Sequence, residues 1–185
     1  MAETKRQARM ERLIQAAFLD LVQERGFRAV TVQAIADRAL INRQTFYNYY
    51  HDKYELTDQL VATTFAQLTE FFDRRFTAFT SGASPAVFRH FLEQQEQAAF
   101  LSGTNRRRLL TLLDIQYDRQ GLAQRCQDYA ASRLATLLPA SSPVVIQAIT
   151  GLFAQVFRAS LIRGRFLTPG EVADLRATLN RMLAE

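Results

Sequence analysis

Between Thr31 and Lys53 the apolar positions fall into two short helical sets separated by a break, and the rest of the chain is arranged around this stretch. Val32, Ile35 and Ala36 recur at the three-to-four spacing of a single helix face, with Thr31 where a hydroxyl accepts from the opening amides. Asp37 and Arg38 lead into a turn over residues 39–41, and Asn42 is the natural cap of a second helix over residues 43–50. Phe46 and Tyr50, four residues apart, share one face and leave Arg43, Gln44, Thr45, Tyr47, Asn48 and Tyr49 outside. That outer set holds bidentate donors and acceptors and phenolic hydroxyls but no carboxylate, which suits a surface meeting polyanionic DNA.

Helical spacing continues on both sides. Ile14, Phe18, Leu21 and Val22 predict an amphipathic helix over about residues 4–25, with Gly26 closing it and Phe27 folding back onto its end. Asp52 and Glu55 form a capping-box pair at the start of a long helix whose inward positions are Leu60, Val61, Phe65, Leu68, Phe72, Phe76 and Phe79. This helix is the expected link between two domains, carrying a shift at its far end to Lys53 as a nearly rigid movement. Residues 80–85 break the pattern. Val87, Phe88, Phe91, Leu92, Ala98 and Ala99 then mark a helix ending near Ser102 and Gly103, and a segment from Asn105 carries Leu109, Leu110, Leu112 and Leu113. Its Arg106, Arg107 and Arg108 read as a solvated helix start in preference to a second nucleic-acid patch, since no aromatic residue interleaves them. A further helix over about 119–138 points Leu122, Cys126, Tyr129, Leu134 and Leu137 inward, and Pro139 to Pro143 end it.

The last two helices differ in kind. Residues 144–163 are apolar on several faces through Val145, Ile149, Leu152, Phe153, Val156, Phe157 and Leu161, whereas residues 171–183 carry a narrower stripe of Val172, Leu175, Leu179 and Met182. A helix apolar nearly all round needs cover on more than one side, and in a chain this small the expected cover is a second copy. Val145, Ile149, Leu152, Val156, Leu175, Leu179 and Met182 are the candidate interface. The chain is therefore all-α, with about nine helices. Residues 1–56 are expected to form a helix-turn-helix DNA-binding domain and residues 57–185 a helical effector-binding and dimerisation domain.

Composition narrows the function. The chain has 185 residues, a formal net charge of +5 and one cysteine. Residues 1–56 contain nine Lys and Arg against seven Asp and Glu, a net of +2, so the positive charge is local: Lys5, Arg6, Arg9 and Arg12, then Arg43 and Lys53. The basic start reads either as a phosphate-contacting arm or as a solvated terminus. Cys126 cannot form an intramolecular disulfide and fits a small core residue in a reducing cytoplasm. Residues 3–12 lack the apolar core of a secretory signal, and Val144 to Phe157 is interrupted by Gln147, Thr150 and Gln155, short of a membrane span. With His51, His90 and Cys126 isolated from one another, no metal set, catalytic pairing or phosphate-cradling glycine loop is present, so no enzyme activity and no cofactor are expected.

Taken together, Ile14 with Ala16 and Ala17, Gly26-Phe27, Thr31-Val32, Ile35-Ala36, Thr45-Phe46-Tyr47 with Tyr50, and Lys53 with Leu56 give residues 12–56 a close resemblance to the DNA-binding domain of the TetR family of bacterial transcriptional regulators. One position departs from it: Leu40-Ile41-Asn42 stands where the family often has Gly-Val-Ser. A left-handed backbone at Leu40 costs roughly 1–2 kcal/mol relative to glycine.

The resemblance implies a homodimeric repressor whose two recognition helices enter successive major grooves of a pseudo-palindromic operator and leave it when a small-molecule effector binds. Arg43 and Gln44 are the expected base readers, guanine for Arg and adenine for Gln. Thr31, Tyr47, Tyr49 and Lys53 are expected to hold the phosphate backbone, with Thr45 and Asn48 in either role. An apolar or aromatic effector is expected among Phe72, Phe91, Tyr117, Tyr129 and Phe153, with Gln95 or His90 orienting a polar group. The alternative is a helical dimeric scaffold without specific DNA binding.

Overall fold

The structure, a computed structural model, describes residues 2–80, 101–117 and 121–183. Among them are eight α-helices: α1 Ala2–Arg25, α2 Val32–Arg38, α3 Arg43–Tyr47, α4 Lys53–Thr80, α5 Gly103–Asp114, α6 Leu122–Leu137, α7 Pro143–Arg163 and α8 Pro169–Leu183. A 3-10 turn, Phe27–Ala29, joins α1 to α2, and no strand occurs among the described residues. The helix expected from Val87 to near Ser102 lies outside them as far as residue 100, with Phe91, Gln95 and His90.

The described residues form two compact units, one within residues 1–66 and 111–123, the other within residues 67–110 and 124–185. This differs from a division after residue 56. In the first unit Leu56, Leu60 and Val61 of α4 are buried together with Ile14, Phe18 and Leu21 of α1, Ile35 of α2 and Phe46 of α3. α2 and α3, of 7 and 5 residues, offer little apolar surface, so the opening turns of α4 are enlisted to close the core. Leu112, Ile115 and Leu122 of the distant segment are buried in the same unit.

Local geometry follows the chemistry of the ends. Gly26 takes φ 77 and ψ 152, a region closed to residues with a Cβ, and so turns the chain out of α1 into the 3-10 turn. Thr31 accepts from the Ala34 amide at 3.2 Å to cap α2. The Arg38 guanidinium donates twice to the Glu24 carboxylate, at 2.8 and 2.6 Å, tying α2 to the end of α1. This holds the carboxyl below and the guanidinium above their ordinary ranges.

In the second unit, Ser142 caps α7 with Pro143 in its first turn, and Gly164, at φ 72, ends it in the left-handed conformation. The guanidinium of Arg106 lies where a Cβ at residue 164 would stand, but it is the end of a flexible side chain, so the positive φ is what requires glycine here. Arg106 and Arg108 are half-buried, unlike the solvated helix start expected of them; Arg107 is exposed. Glu171 gathers Arg165, the Thr168 amide and the Thr168 hydroxyl at the start of α8, and the arginine bonds above all pull its carboxyl down to about 2.

The 21 residues of α7 are long and apolar enough to cross a membrane by length and composition, although residues 144–157 alone are not. Its buried Thr150 and Ser160 donate to the Ile146 and Val156 carbonyls, so neither hydroxyl is orphaned. Of the expected interface, Val145 and Leu152 are exposed, Ile149, Val156, Leu175 and Leu179 are half-buried, and the Met182 side chain lies outside the described residues. Val144 at 74% and Ile162 at 61% exposure extend this apolar surface to both ends of the helix.

Candidate nucleic-acid interface

Asn42 sets the start of α3. Its side-chain oxygen accepts from the Thr45 amide at 2.6 Å and the Thr45 hydroxyl at 2.8 Å, which fixes the first turn and spends part of Thr45 on the cap. The regular helix then covers only residues 43–47, not 43–50. The Asn48 amide is shared between the Gln44 and Thr45 carbonyls and that of Tyr49 reaches Phe46, three residues back, so the last turn tightens. The inward face is as expected, with Phe46 and Tyr50 buried and 5.8 Å apart. Gln15 of α1 donates to the Tyr50 hydroxyl at 3.1 Å, giving that buried phenol a partner.

On the outer face Arg43, Gln44, Tyr47 and Asn48 are exposed, while Thr45 and Tyr49 are half-buried; Thr31, at the start of α2, is exposed as well. No carboxylate interrupts the α3 set. The Arg43 guanidinium donates from Nε and Nη2 to the Tyr47 hydroxyl, at 3.1 and 2.7 Å, and lies 5.3 Å from the centre of its ring. Arginine and tyrosine one turn apart thus form a single polar unit on the recognition surface, a pairing that the i, i+4 spacing made available.

Lys53 is placed differently from the expected phosphate contact. Its Nζ donates to the backbone carbonyls of Phe27, Arg28 and Val30, at 3.0, 3.2 and 2.8 Å, and stands 4.7 Å from the Phe27 ring centre. An ammonium has three donors, and all three are engaged. Partial burial also pulls it below the ordinary lysine range. The side chain therefore clamps the 3-10 turn that delivers α2. No sequence signature marks this, because the acceptors are main-chain atoms. The Tyr54 and Glu55 amides of α4 are also occupied, each donating to Asp52 at 2.8 Å, and the His51 amide before the helix donates to Glu55 at 2.6 Å. At the basic start of α1, Lys5, Arg6, Arg9 and Arg12 are exposed on regular helix.

Of the residues expected around the effector, Phe72, Tyr117, Tyr129 and Phe153 are among those described. Phe72 packs edge-on against Phe157 at 5.5 Å, and Tyr129 donates to Asp73, which also receives Arg133. Phe153 is 55% exposed. Tyr117 belongs to the first unit, with its ring 5.2 Å from Phe27 and 5.5 Å from Tyr54. Phe91 and Gln95 lie outside the described residues. Cys126 is half-buried, and burial pushes its thiol up to about 12.

Residues 13–60 match the model for bacterial regulatory proteins of the tetR family. A curated relative, the HTH-type dhaKLM operon transcriptional activator DhaS of Lactococcus lactis subsp. lactis (strain IL1403), is 38% identical over 58 residues. That match covers 31% of this chain and 31% of the relative, so the chain spans under a third of the relative it matches. Among solved structures, Thermus thermophilus FadR, a TetR family transcriptional repressor in complex with lauroyl-CoA, aligns over 94% of this chain and 93% of its own at 22% identity and a TM-score of 0.46.

Proposed function

We propose that this chain, whose residues 13–60 match the model for bacterial regulatory proteins of the tetR family, is a DNA-binding transcriptional regulator of that family that works in the cytoplasm as a homodimer. The observation that carries this reading is α3 itself. A capped turn of helix presents Arg43, Gln44, Tyr47 and Asn48 to solvent with no acid among them, on a base formed by Phe46 and Tyr50. Arg43 and Gln44 read base edges in the major groove; Thr31, Tyr47 and Tyr49 hold phosphates, with Thr45 and Asn48 beside them. Lys53 serves the same surface indirectly, by fixing the turn before α2. The exposed basic residues of α1, Lys5, Arg6 and Arg9, add sequence-independent attraction.

The apolar surface of α7 supports the dimer, since Val144, Val145, Leu152, Phe153 and Ile162 are all exposed on this one helix. A two-fold pairing through α7 and α8 presents two α3 helices to a pseudo-palindromic duplex. Repression relieved by an apolar or aromatic effector, held in the second unit around Phe72, is the regulatory half of the proposal. A gel shift with the duplex upstream of the protein's own gene tests the DNA reading. Retention of that duplex over a scrambled one of equal length supports it, and equal retention contradicts it.

A further inference from the structure

Tyr117 is remote in sequence from the helix-turn-helix, yet its side chain is built into the unit that carries it. The phenol donates to the Asp58 carboxylate on the second turn of α4, and the ring rests against Phe27 and Tyr54. Those are the two rings that flank the Lys53 ammonium, 4.7 and 5.5 Å from it. Lys53 in turn holds the carbonyls of Phe27, Arg28 and Val30. Nearby in sequence, the buried Thr111 hydroxyl accepts from Gln23 of α1 at 2.7 Å. The segment 111–117 is therefore fastened to α1, to the 3-10 turn and to α4, the elements on which α2 and α3 stand.

We propose that Tyr117 is a positioning residue for DNA recognition, holding Phe27 and Tyr54 around Lys53 so that the turn leading into α2 keeps its geometry. The inference rests on the DNA-binding reading above and extends that site to a residue beyond the contiguous helix-turn-helix sequence. Tyr117 touches no DNA. Its ring backs both of the rings that flank the lysine, and its hydroxyl ties the segment to α4 through Asp58.

The test compares Tyr117→Ala, Tyr117→Phe and the unaltered full-length chain. One arm measures affinity, and its salt dependence, for a duplex that the unaltered chain retains. The other measures amide hydrogen exchange without DNA. In Tyr117→Ala the affinity should fall by about tenfold or more with an unchanged salt slope, because no phosphate contact is lost. Tyr117→Phe, which keeps the ring, should restore most of it. Exchange should rise in residues 27–36 and 53–60 of Tyr117→Ala and stay unchanged in α7 and α8. Wild-type affinity together with wild-type exchange in Tyr117→Ala would overturn the proposal, as would exchange rising equally in α7 and α8. Should the unaltered chain retain no duplex, the DNA reading fails, while the exchange arm still decides whether Tyr117 holds this turn.

Discussion

The Arg43 guanidinium lies over the Tyr47 ring, with Nη2 2.7 Å from the phenolic oxygen, so the two outward side chains one turn apart on α3 hold each other in place. Tyr47 costs little entropy to order and keeps the longer arginine from wandering over the helix. If Arg43 reads a base edge, Arg43→Ala should lower the preference for a bound sequence over random duplex by roughly 1–3 kcal/mol. Titrations against both duplexes measure this. Equal losses on the two would remove Arg43 from base reading.

Replacing Lys53 separates two roles. With all three ammonium donors on carbonyls, Lys53→Met should lower the melting temperature, at a cost of about 1–3 kcal/mol for carbonyls left without their cationic partner. Duplex affinity should weaken while the slope of log affinity against log salt stays the same. A direct phosphate contact would instead reduce that slope by about one.

Leu40 holds φ 55, the one residue other than glycine at positive φ among those described, and is 92% exposed. Its side chain gains almost no burial to set against the backbone strain. Leu40→Gly should therefore stabilise the protein, by about 0.5–1 kcal/mol once the greater freedom of glycine in the unfolded chain is counted. Chemical denaturation of the two proteins decides it.

Acid dependence should trace in part to Glu171. Its folded-state carboxyl, near 2 because of Arg165 and Thr168, lies below the ordinary 4.5, so the contribution is present above pH 4.5 and lost as pH falls from there toward 2. Glu171→Gln should show a shallower fall in melting temperature across that window. Parallel pH profiles for the two proteins would contradict the assignment.

The Cys126 thiol, pushed up to about 12 by burial, is almost wholly protonated at pH 8 and should react with a disulfide reagent far more slowly than a free thiol. Urea should restore the ordinary rate.

Much of this arrangement was legible in the residue pattern because it is local. Thr31 and Asn42 cap their helices, and Phe46 and Tyr50 turn inward, for reasons contained within four residues of each. The strained turn at Leu40 was visible only through the family resemblance, as a leucine where that family often has glycine. What escaped the pattern depends on partners far away or on the main chain. Tyr117 lies 59 residues from Asp58, so no periodicity links them, and an aromatic residue in a helical chain reads equally well as pocket lining. The Lys53 clamp closes on carbonyl oxygens, which every residue has. The extent of α3 was overestimated because Tyr49 and Tyr50 continue its aromatic pattern after the hydrogen bonding has tightened.

The central claim, that α3 is a DNA-reading surface presented twice per assembly, is tested most directly by selecting bound duplexes from a random pool at about physiological salt and sequencing them. The account predicts enrichment of a pseudo-palindrome whose half-sites lie about one helical turn or slightly more apart, with the half-site consensus relaxed in Arg43→Ala. A selected pool indistinguishable from the starting one would contradict it.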